Sequence, residues 1–377
     1  MKLAIVRQHY RPDGGAERFV SRALQSLARI KALSVSVITR TWEQDNASSY
    51  KIIICNPPIR SRLDREKAFS RAAIELFPQF DLVQSHERIP GCHIYRAGDG
   101  VHRAWLQQRS RLLSPWRRYW LWHSRYHRYV MQQEEAMYRH PALRAVICNS
   151  KMVADEIKEH FSLAPEKIAL IYNGVDTQEF HPQLRQQYRE SIRAQLKIPQ
   201  QAPVMLFVGS GFERKGLHGA LHAISHKQEV HLIIVGKDKH QGRYQRIAKH
   251  LGIEKRIHFV GMQCDPKPYY GTADMLLLPT CYDPFPNVIL EAMASGLGVI
   301  TSKQCGGKEF IQQGKNGFIC DALDYQSLQL SVSQAITLGT EKLGIAARDT
   351  VLPYDLEALS KNMQSLYTNL TADIDKS

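Results

Sequence analysis

A strand run that passes almost directly into a helix, with an acid on each side of the junction, constrains this chain more than any other segment. Ala273-Asp-Met-Leu-Leu-Leu-Pro279 reads as a short buried strand, and Val288 to Met293, closed by Gly296, reads as a helix. Asp283 falls before that helix and Glu291 inside it, eight residues further on. An apolar strand followed by a turn and a helix is the repeating unit of a doubly wound α/β sheet. In such sheets ligands lie beyond the carboxyl ends of the strands, where helix N-termini present unpaired N–H groups to anions. An acid in that loop can accept hydroxyl hydrogen bonds while the helix end holds a phosphate. On spacing alone the pair reads equally well as a solvated loop acid and an exposed helical one.

A second unit of the same kind lies upstream. Val204-Met-Leu-Phe-Val208 is a β-branched and aromatic run, followed by Gly209-Ser-Gly211-Phe-Glu-Arg214-Lys215-Gly216 and a helical pattern with Leu217, Leu221 and Ile224 on one face. A helix N-terminus already favours negative charge, so two adjacent bases ahead of one imply an anion. A diphosphate leaving group is such an anion, and cations that grip harder as charge develops on it accelerate its departure. A solvated Arg-Lys turn fits the same residues. Near the start, Leu3-Ala-Ile-Val6 is a strand and Arg11-Pro-Asp-Gly14-Gly15-Ala-Glu17 a glycine turn that lets the backbone approach a ligand. Phe19, Val20, Ala23, Leu24, Leu27 and Ile30 follow as a helical stripe. A dinucleotide-binding turn needs Gly-x-Gly-x-x-Gly with an acid about twenty residues later. The first glycine turn lacks that spacing, and Arg214 occupies the place of the third glycine in the second.

Together these segments resemble the retaining nucleotide-sugar glycosyltransferases of family 4, and the Pro12-to-Phe19 phrase resembles the subgroup that adds glucose to the inner-core heptose of lipopolysaccharide. The resemblance implies an α/β GT-B fold, two Rossmann-like doubly wound domains facing a central cleft. It also implies a hexosyltransferase using a UDP-sugar, with retention, no metal and no other cofactor. Arg214 and Lys215 match the cation pair that holds the donor diphosphate. Asp283 and Glu291 match the ends of the family's Glu-x7-Glu signature, for sugar hydroxyls and ribose respectively. Gly14, Gly15 and Gly211 would lie along the donor, Met262 would meet the nucleotide base through its backbone, and Phe285, Asn287 and Val288 would complete the donor site. Asp283 is one methylene shorter than the usual Glu, and Pro286 brings no N–H where the family often has Gly. Asp99, at the end of the strand-like His93 to Arg96 and between two glycines, matches the position assigned to the acceptor hydroxyl, with His86 and His102 as alternatives. An Asp between glycines is also a common turn former.

At 377 residues the chain accommodates two domains. Glycine, prolines and polar residues cluster as in a linker from Asn173 through the polar, helix-like stretch Gln183 to Lys197 and on to Pro203, which puts a boundary near 180, giving an acceptor domain of 1–180 and a donor domain of 181–354. Leu359, Met363, Leu366 and Tyr367 share one helical face, and the resemblance implies that this last helix, about 355–372, returns to the first domain. The chain opens on Met1-Lys2 and a strand with no secretory pattern, and no apolar run reaches the eighteen or so residues of a spanning helix. A cytoplasmic protein is therefore expected. Seven dispersed cysteines suggest neither a disulfide framework nor a zinc site.

The net charge of +14 is unevenly distributed. Gly100 to Gln133 contains no acid but includes Arg103, Arg109, Arg111, Arg117 and Arg118 beside Trp105, Trp116, Trp120 and Trp122. Arginines interleaved with indoles suit an anionic membrane surface, so peripheral attachment to the inner face of the cytoplasmic membrane and a lipid-linked oligosaccharide acceptor are expected. The same composition could stack nucleic-acid bases, but no nucleic-acid-binding module surrounds it and no such partner is expected. A solvated basic helix with its tryptophans in the core is the remaining reading.

Overall fold

The computed structural model describes residues 1–10, 34–42 and 50–372. The Gly14-Gly15 turn and the helical stripe after it lie outside these residues. Residue contacts divide the chain into two units, 1–173 with 357–377, and 174–356.

The first unit is built on strands β1 (Lys2–Val6), β2 (His9–Tyr10), β3 (Ser34–Thr39), β4 (Thr41–Trp42), β5 (Lys51–Ile54), β6 (Leu82–Ser85), β7 (Ile94–Arg96), β8 (Ala145–Cys148) and β9 (Ile168–Leu170). Seven of them form a parallel sheet in the order β5-β3-β1-β6-β7-β8-β9, and β2 pairs with β4 beside it. The strands read as near-continuous apolar runs because both faces of such a sheet are covered. Leu3, Ile5, Val35, Val37, Leu82, Ile94 and Ile147 form one core with Leu359, Met363 and Tyr367 of the last helix, Leu356–Ala372. Tyr367 Oη also donates to Gln84 Oε1, so that helix is tied to β6 by a buried polar contact as well as by burial.

The second unit holds β10 (Val204–Val208), β11 (His231–Val235), β12 (Ile257–Gly261), β13 (Met275–Leu278), β14 (Gly298–Ser302) and β15 (Gly317–Cys320). They form a parallel sheet in the order β12-β11-β10-β13-β14-β15. Each sheet reverses its winding direction once, at β1/β6 in the first and β10/β13 in the second. The carboxyl ends of those strand pairs are where a doubly wound sheet opens a crevice.

The division after Asn173 precedes the boundary of 180 read from sequence, for a physical reason. Val175 N donates to the Tyr354 carbonyl, the Phe180 ring meets Tyr270 edge-on at 5.5 Å, and Arg348 donates to the Phe180 carbonyl, so 174–180 packs with the second unit. The polar stretch that follows is no loose linker either. Helix Leu184–Gln195 sets Arg185, Arg189 and Arg193 one turn apart, and all three pair with the buried Asp274 just before β13 at 2.8–3.1 Å.

Candidate active site

At the β10/β13 crevice the two sequence motifs meet. After β10 the chain turns through Gly211, at φ +73°, into a single helical turn, Phe212–Lys215, whose first N–H is taken by Asp238 Oδ2 at 2.8 Å. Gly216, at φ +80°, then restarts the chain into helix Leu217–Ser225. A side chain at 216 would place its Cβ 1.8 Å from the Pro279 carbonyl, so only glycine allows the turn to approach the end of β13. Thr280 Oγ1 and Cys281 N both donate to the Arg214 carbonyl, at 2.9 and 2.8 Å, which locks the cation turn to the loop carrying Asp283.

Arg214 Nη1 and Lys215 Nζ converge on a single oxygen, Asp283 Oδ2, at 2.7 and 2.8 Å. An anion of the kind that two adjacent bases imply is thus supplied by the chain itself. Asp283 is only 6% exposed. Burial pushes its carboxyl up, and the Lys215 and Arg214 charges with their hydrogen bonds more than reverse this, holding it below the ordinary carboxylate value. Lys215 is buried with it, whereas the Arg214 side chain stays 43% exposed. The loop is pinned on its other side, where Asp283 N donates to the Gln304 carbonyl and Gly306 N donates to that of Asp283.

Glu291 lies inside helix Asn287–Ala294, buried, and accepts a hydrogen bond from Tyr270 Oη at 2.8 Å. Neither acid is the solvated residue that spacing alone allowed. Phe285 is buried edge-on against Phe310 at 5.6 Å, Asn287 and Val288 are half-buried in the first turn of the helix, and Met262, after β12, is 48% exposed.

In the first unit Asp99 sits exposed in the turn after β7, at the strand's carboxyl end. That turn has a buried support which sequence reasoning missed. Glu134 accepts from Arg88 Nε at 2.8 Å and from His102 N at 3.1 Å, while Arg88 Nη2 donates to the Gly100 carbonyl at 2.8 Å. The members are 46 and 32 residues apart in sequence, so no local spacing announces them. His86 is buried at the end of β6, and burial, then the charges of Arg96 and Arg7, keep it well below the usual imidazole range. His102 Nε2 faces His127 Nδ1 at 3.1 Å. Burial, then Arg88, His127 and Arg62, bring His102 down to about 3.

The basic aromatic stretch divides. Trp105 and Trp122 are half-buried and engaged internally, Trp105 against His102, His127 and Arg109, Trp122 through Nε1 to Ser110 Oγ at 3.1 Å. Arg109 is likewise half-buried, so these three leave the surface patch. Helix Pro115–His123 instead exposes Trp116 by 71% and Trp120 by 58%, beside Tyr119, Arg117 and Arg118, with Arg103 and Arg111 exposed on the preceding helix and turn. Among the described residues no helix is long and apolar enough to cross a membrane, and no group of three or more His, Cys, Asp or Glu side chains could hold a metal ion.

Two tandem Rossmann-like units, each a doubly wound parallel sheet, make a GT-B fold. The family described as "Glycosyltransferase Family 4" matches residues 13–179 and "Glycosyl transferases group 1" matches 188–349, and the chain belongs to the family 4 glycosyltransferases. Among curated relatives, the lipopolysaccharide glucosyltransferase WaaG of Escherichia coli K12 is 25% identical over 98% of this chain and 99% of its own. The crystal structure of WaaG, a glycosyltransferase involved in lipopolysaccharide biosynthesis, superposes with a TM-score of 0.81 at 23% identity, over 95% of this chain and 97% of that one. HepE of Anabaena, solved in complex with UDP-glucose, gives 0.73 at 18% identity over 98% and 100%.

Proposed function

We propose that this hexosyltransferase moves glucose from UDP-glucose onto a heptose of a lipopolysaccharide core, or a similar lipid-linked acceptor, with retention of configuration. The observation that carries the reading is the convergence of Arg214 and Lys215 on one buried oxygen, an anion-binding geometry at the strand edge where a nucleotide-sugar enzyme needs one. The full-length likeness to a lipopolysaccharide glucosyltransferase supports the acceptor class, and a neighbour solved with UDP-glucose supports the donor.

On this reading Arg214 and Lys215 stabilise the departing diphosphate, supplying two positive charges where a divalent ion could otherwise serve. Asp283 orients the sugar hydroxyls, Glu291 holds the ribose, and the backbone of Met262 meets the uracil. Asp99 orients the acceptor hydroxyl, whose proton passes to the leaving diphosphate as attack proceeds on the same face. A non-catalytic adaptor needs neither the cation pair nor the buried acids. Transfer of radiolabel from UDP-glucose, UDP-galactose and UDP-galacturonate to a heptose-terminated core lipid, with and without chelator, tests the reading. Turnover with glucose, insensitive to chelator, is expected; no turnover with any of the three would refute it.

Attachment to an anionic bilayer through helix Pro115–His123 belongs to the same proposal. Its exposed indoles suit headgroup depth, and each arginine near such a surface contributes about 1 kcal/mol. Vesicle sedimentation checks it: wild type should bind phosphatidylglycerol vesicles and release on the double change Trp116→Ser and Trp120→Ser. Equal binding to neutral phosphatidylcholine vesicles would defeat it.

A further inference from the structure

The β1/β6 crevice of the first unit contains a pocket of about 280 Å³ whose lining includes Arg7, Arg65, Glu66, Glu87, Arg88 and Asp99. Among the described residues this lining sets three arginines against three carboxylates. Each arginine already has its own anion. Arg7 lies 3.7 Å from Glu87, Arg65 3.1 Å from Glu66, and Arg88 2.8 Å from the buried Glu134 behind it. A phosphate entering here would find its cations neutralised and would meet carboxylates at close range, an arrangement that like-charge repulsion penalises.

The same lining suits hydroxyl groups. Glu87 Oε1 accepts from Gln8 N at 2.9 Å, and the same oxygen faces Arg7, so the contacts that fix this carboxylate fall on one of its two oxygens. Glu66 is committed differently, accepting from Gln8 Nε2 at 2.6 Å on Oε2 and from Arg65 on Oε1. Asp99 stands exposed in the same lining, in the turn braced by Arg88 and Glu134. Tyr126 adds an apolar wall, backed by the Arg62 guanidinium 3.9 Å from its ring centre. Burial pushes the Glu87 carboxyl up against the opposing pull of Arg7, with Asp99 and Glu66 adding to the rise.

We propose that this pocket seats an uncharged, polyhydroxylated sugar ring, with Glu87 and Asp99 as its hydroxyl acceptors, and discriminates against a phosphorylated ring at that place. This rests on the transferase reading above, and assigns the acceptor unit next to Asp99 a chemical class. Any phosphate carried elsewhere on the acceptor then has to be met outside the pocket.

Calorimetric titration of the full chain with a synthetic heptose disaccharide and with its phosphomonoester tests the proposal. The neutral disaccharide should bind at least tenfold more tightly, and Glu87→Gln should weaken it by about tenfold or more, the scale of one hydrogen bond to a charged acceptor. UDP binding by that variant should be unchanged. Equal or tighter binding of the phosphomonoester, no binding of either sugar, or unchanged affinity in a folded Glu87→Gln variant overturns the proposal. If that variant does not fold, the wild-type comparison of the two sugars decides alone. UDP titration in the same experiment separates the two readings: loss of UDP binding would sink the transferase reading, whereas UDP binding without the sugar preference sinks only this one.

Discussion

Asp283→Asn should make the unliganded protein less stable and its grip on UDP tighter, a combination that follows from the shared oxygen at the cation pair. Lys215 is buried and its Nζ lies 2.8 Å from Asp283 Oδ2, so removing the carboxylate charge strands an ammonium in a poorly solvated place. Breaking a buried pair on one side costs about 3–5 kcal/mol. The amide oxygen of Asn still accepts a hydrogen bond, which returns about 1 kcal/mol and leaves a loss of roughly 2–4 kcal/mol. Arg214, 43% exposed, adds nothing to this sum because water screens it. For a domain of this size the loss corresponds to a Tm lower by roughly 4–16 °C. A diphosphate arriving at the wild-type cations also meets Asp283, and two like charges about 4 Å apart repel by about 1 kcal/mol in water and about 4 at an effective dielectric of 20. Relief of that repulsion should tighten UDP binding by about tenfold or more, so the rise in Tm caused by UDP should be larger in the variant while turnover falls. Since the carboxyl titrates below its ordinary 3.8, its contribution is present at neutral pH and disappears as the pH falls below 3.8 through the lower folded value. The gap between the two proteins should therefore close in acid. Differential scanning fluorimetry and UDP titration at pH 7 are sufficient; an unchanged Tm together with weaker UDP binding would show that Asp283 does not compete for the cations.

Lys215→Ala should lower turnover by roughly two or more orders of magnitude in single-turnover transfer, the scale of one lost transition-state donor, and unchanged turnover in a folded variant would remove Lys215 from the chemistry. Arg193→Met should cost about 3–5 kcal/mol in urea unfolding, because the fully buried Arg193 holds Asp274, although Arg185 and Arg189 retain part of the contact; a loss below 1 kcal/mol would show that those two suffice. His102 and His127, held near 3 and 4 chiefly by burial, are neutral when folded at pH 7, so stability should be complete above their ordinary value of 6.5 and fall progressively as the pH drops below it. Denaturant unfolding at pH 7, 6 and 5 should show that fall, and His127→Phe should make it shallower; parallel pH profiles would assign the dependence to other groups.

The fold was legible because parallel strands buried on both faces leave an apolar trace that turns interrupt. Leu3–Val6, Val204–Val208 and Met275–Leu278 each stand in the sequence as such runs, and each is a strand of the sheets. The last helix was legible as a helix, because Leu359, Met363 and Tyr367 repeat at helical spacing, whereas its place in the first unit's core was implied only by the family resemblance. Polarity misled at 174–197. Three arginines a turn apart look like a solvated face until a single acid 81–89 residues away gathers them, and that acid, Asp274, is hidden at the edge of an apolar strand.

The site was legible only as parts, since local spacing carries which residues flank a strand end but not which strand ends adjoin. Parallel pairing of β10 with β13, through Met205 with Met275 and Leu206 with Leu276, is what brings positions 214–215 and 283 together. Once they adjoin, the short side chain of Asp283 acquires a consequence that its sequence position does not reveal. Its carboxylate is held on the cations by two hydrogen bonds, at 2.7 and 2.8 Å, so on the proposed function the binding of diphosphate and the release of an acid that orients the sugar would become one event. Donor sugar and leaving group would then be recognised jointly, and a UDP analogue lacking the hexose should leave Asp283 with no replacement for the contacts it gives up. In this chain UDP alone should therefore stabilise less than UDP-glucose by about the 1.5–3 kcal/mol of a hydrogen bond to a charged acceptor. Equal thermal shifts from UDP and UDP-glucose, each at 100 times its own Kd, are the trivial result of mass action; the informative quantity is the ratio of the two dissociation constants, and a ratio near one would refute the coupling.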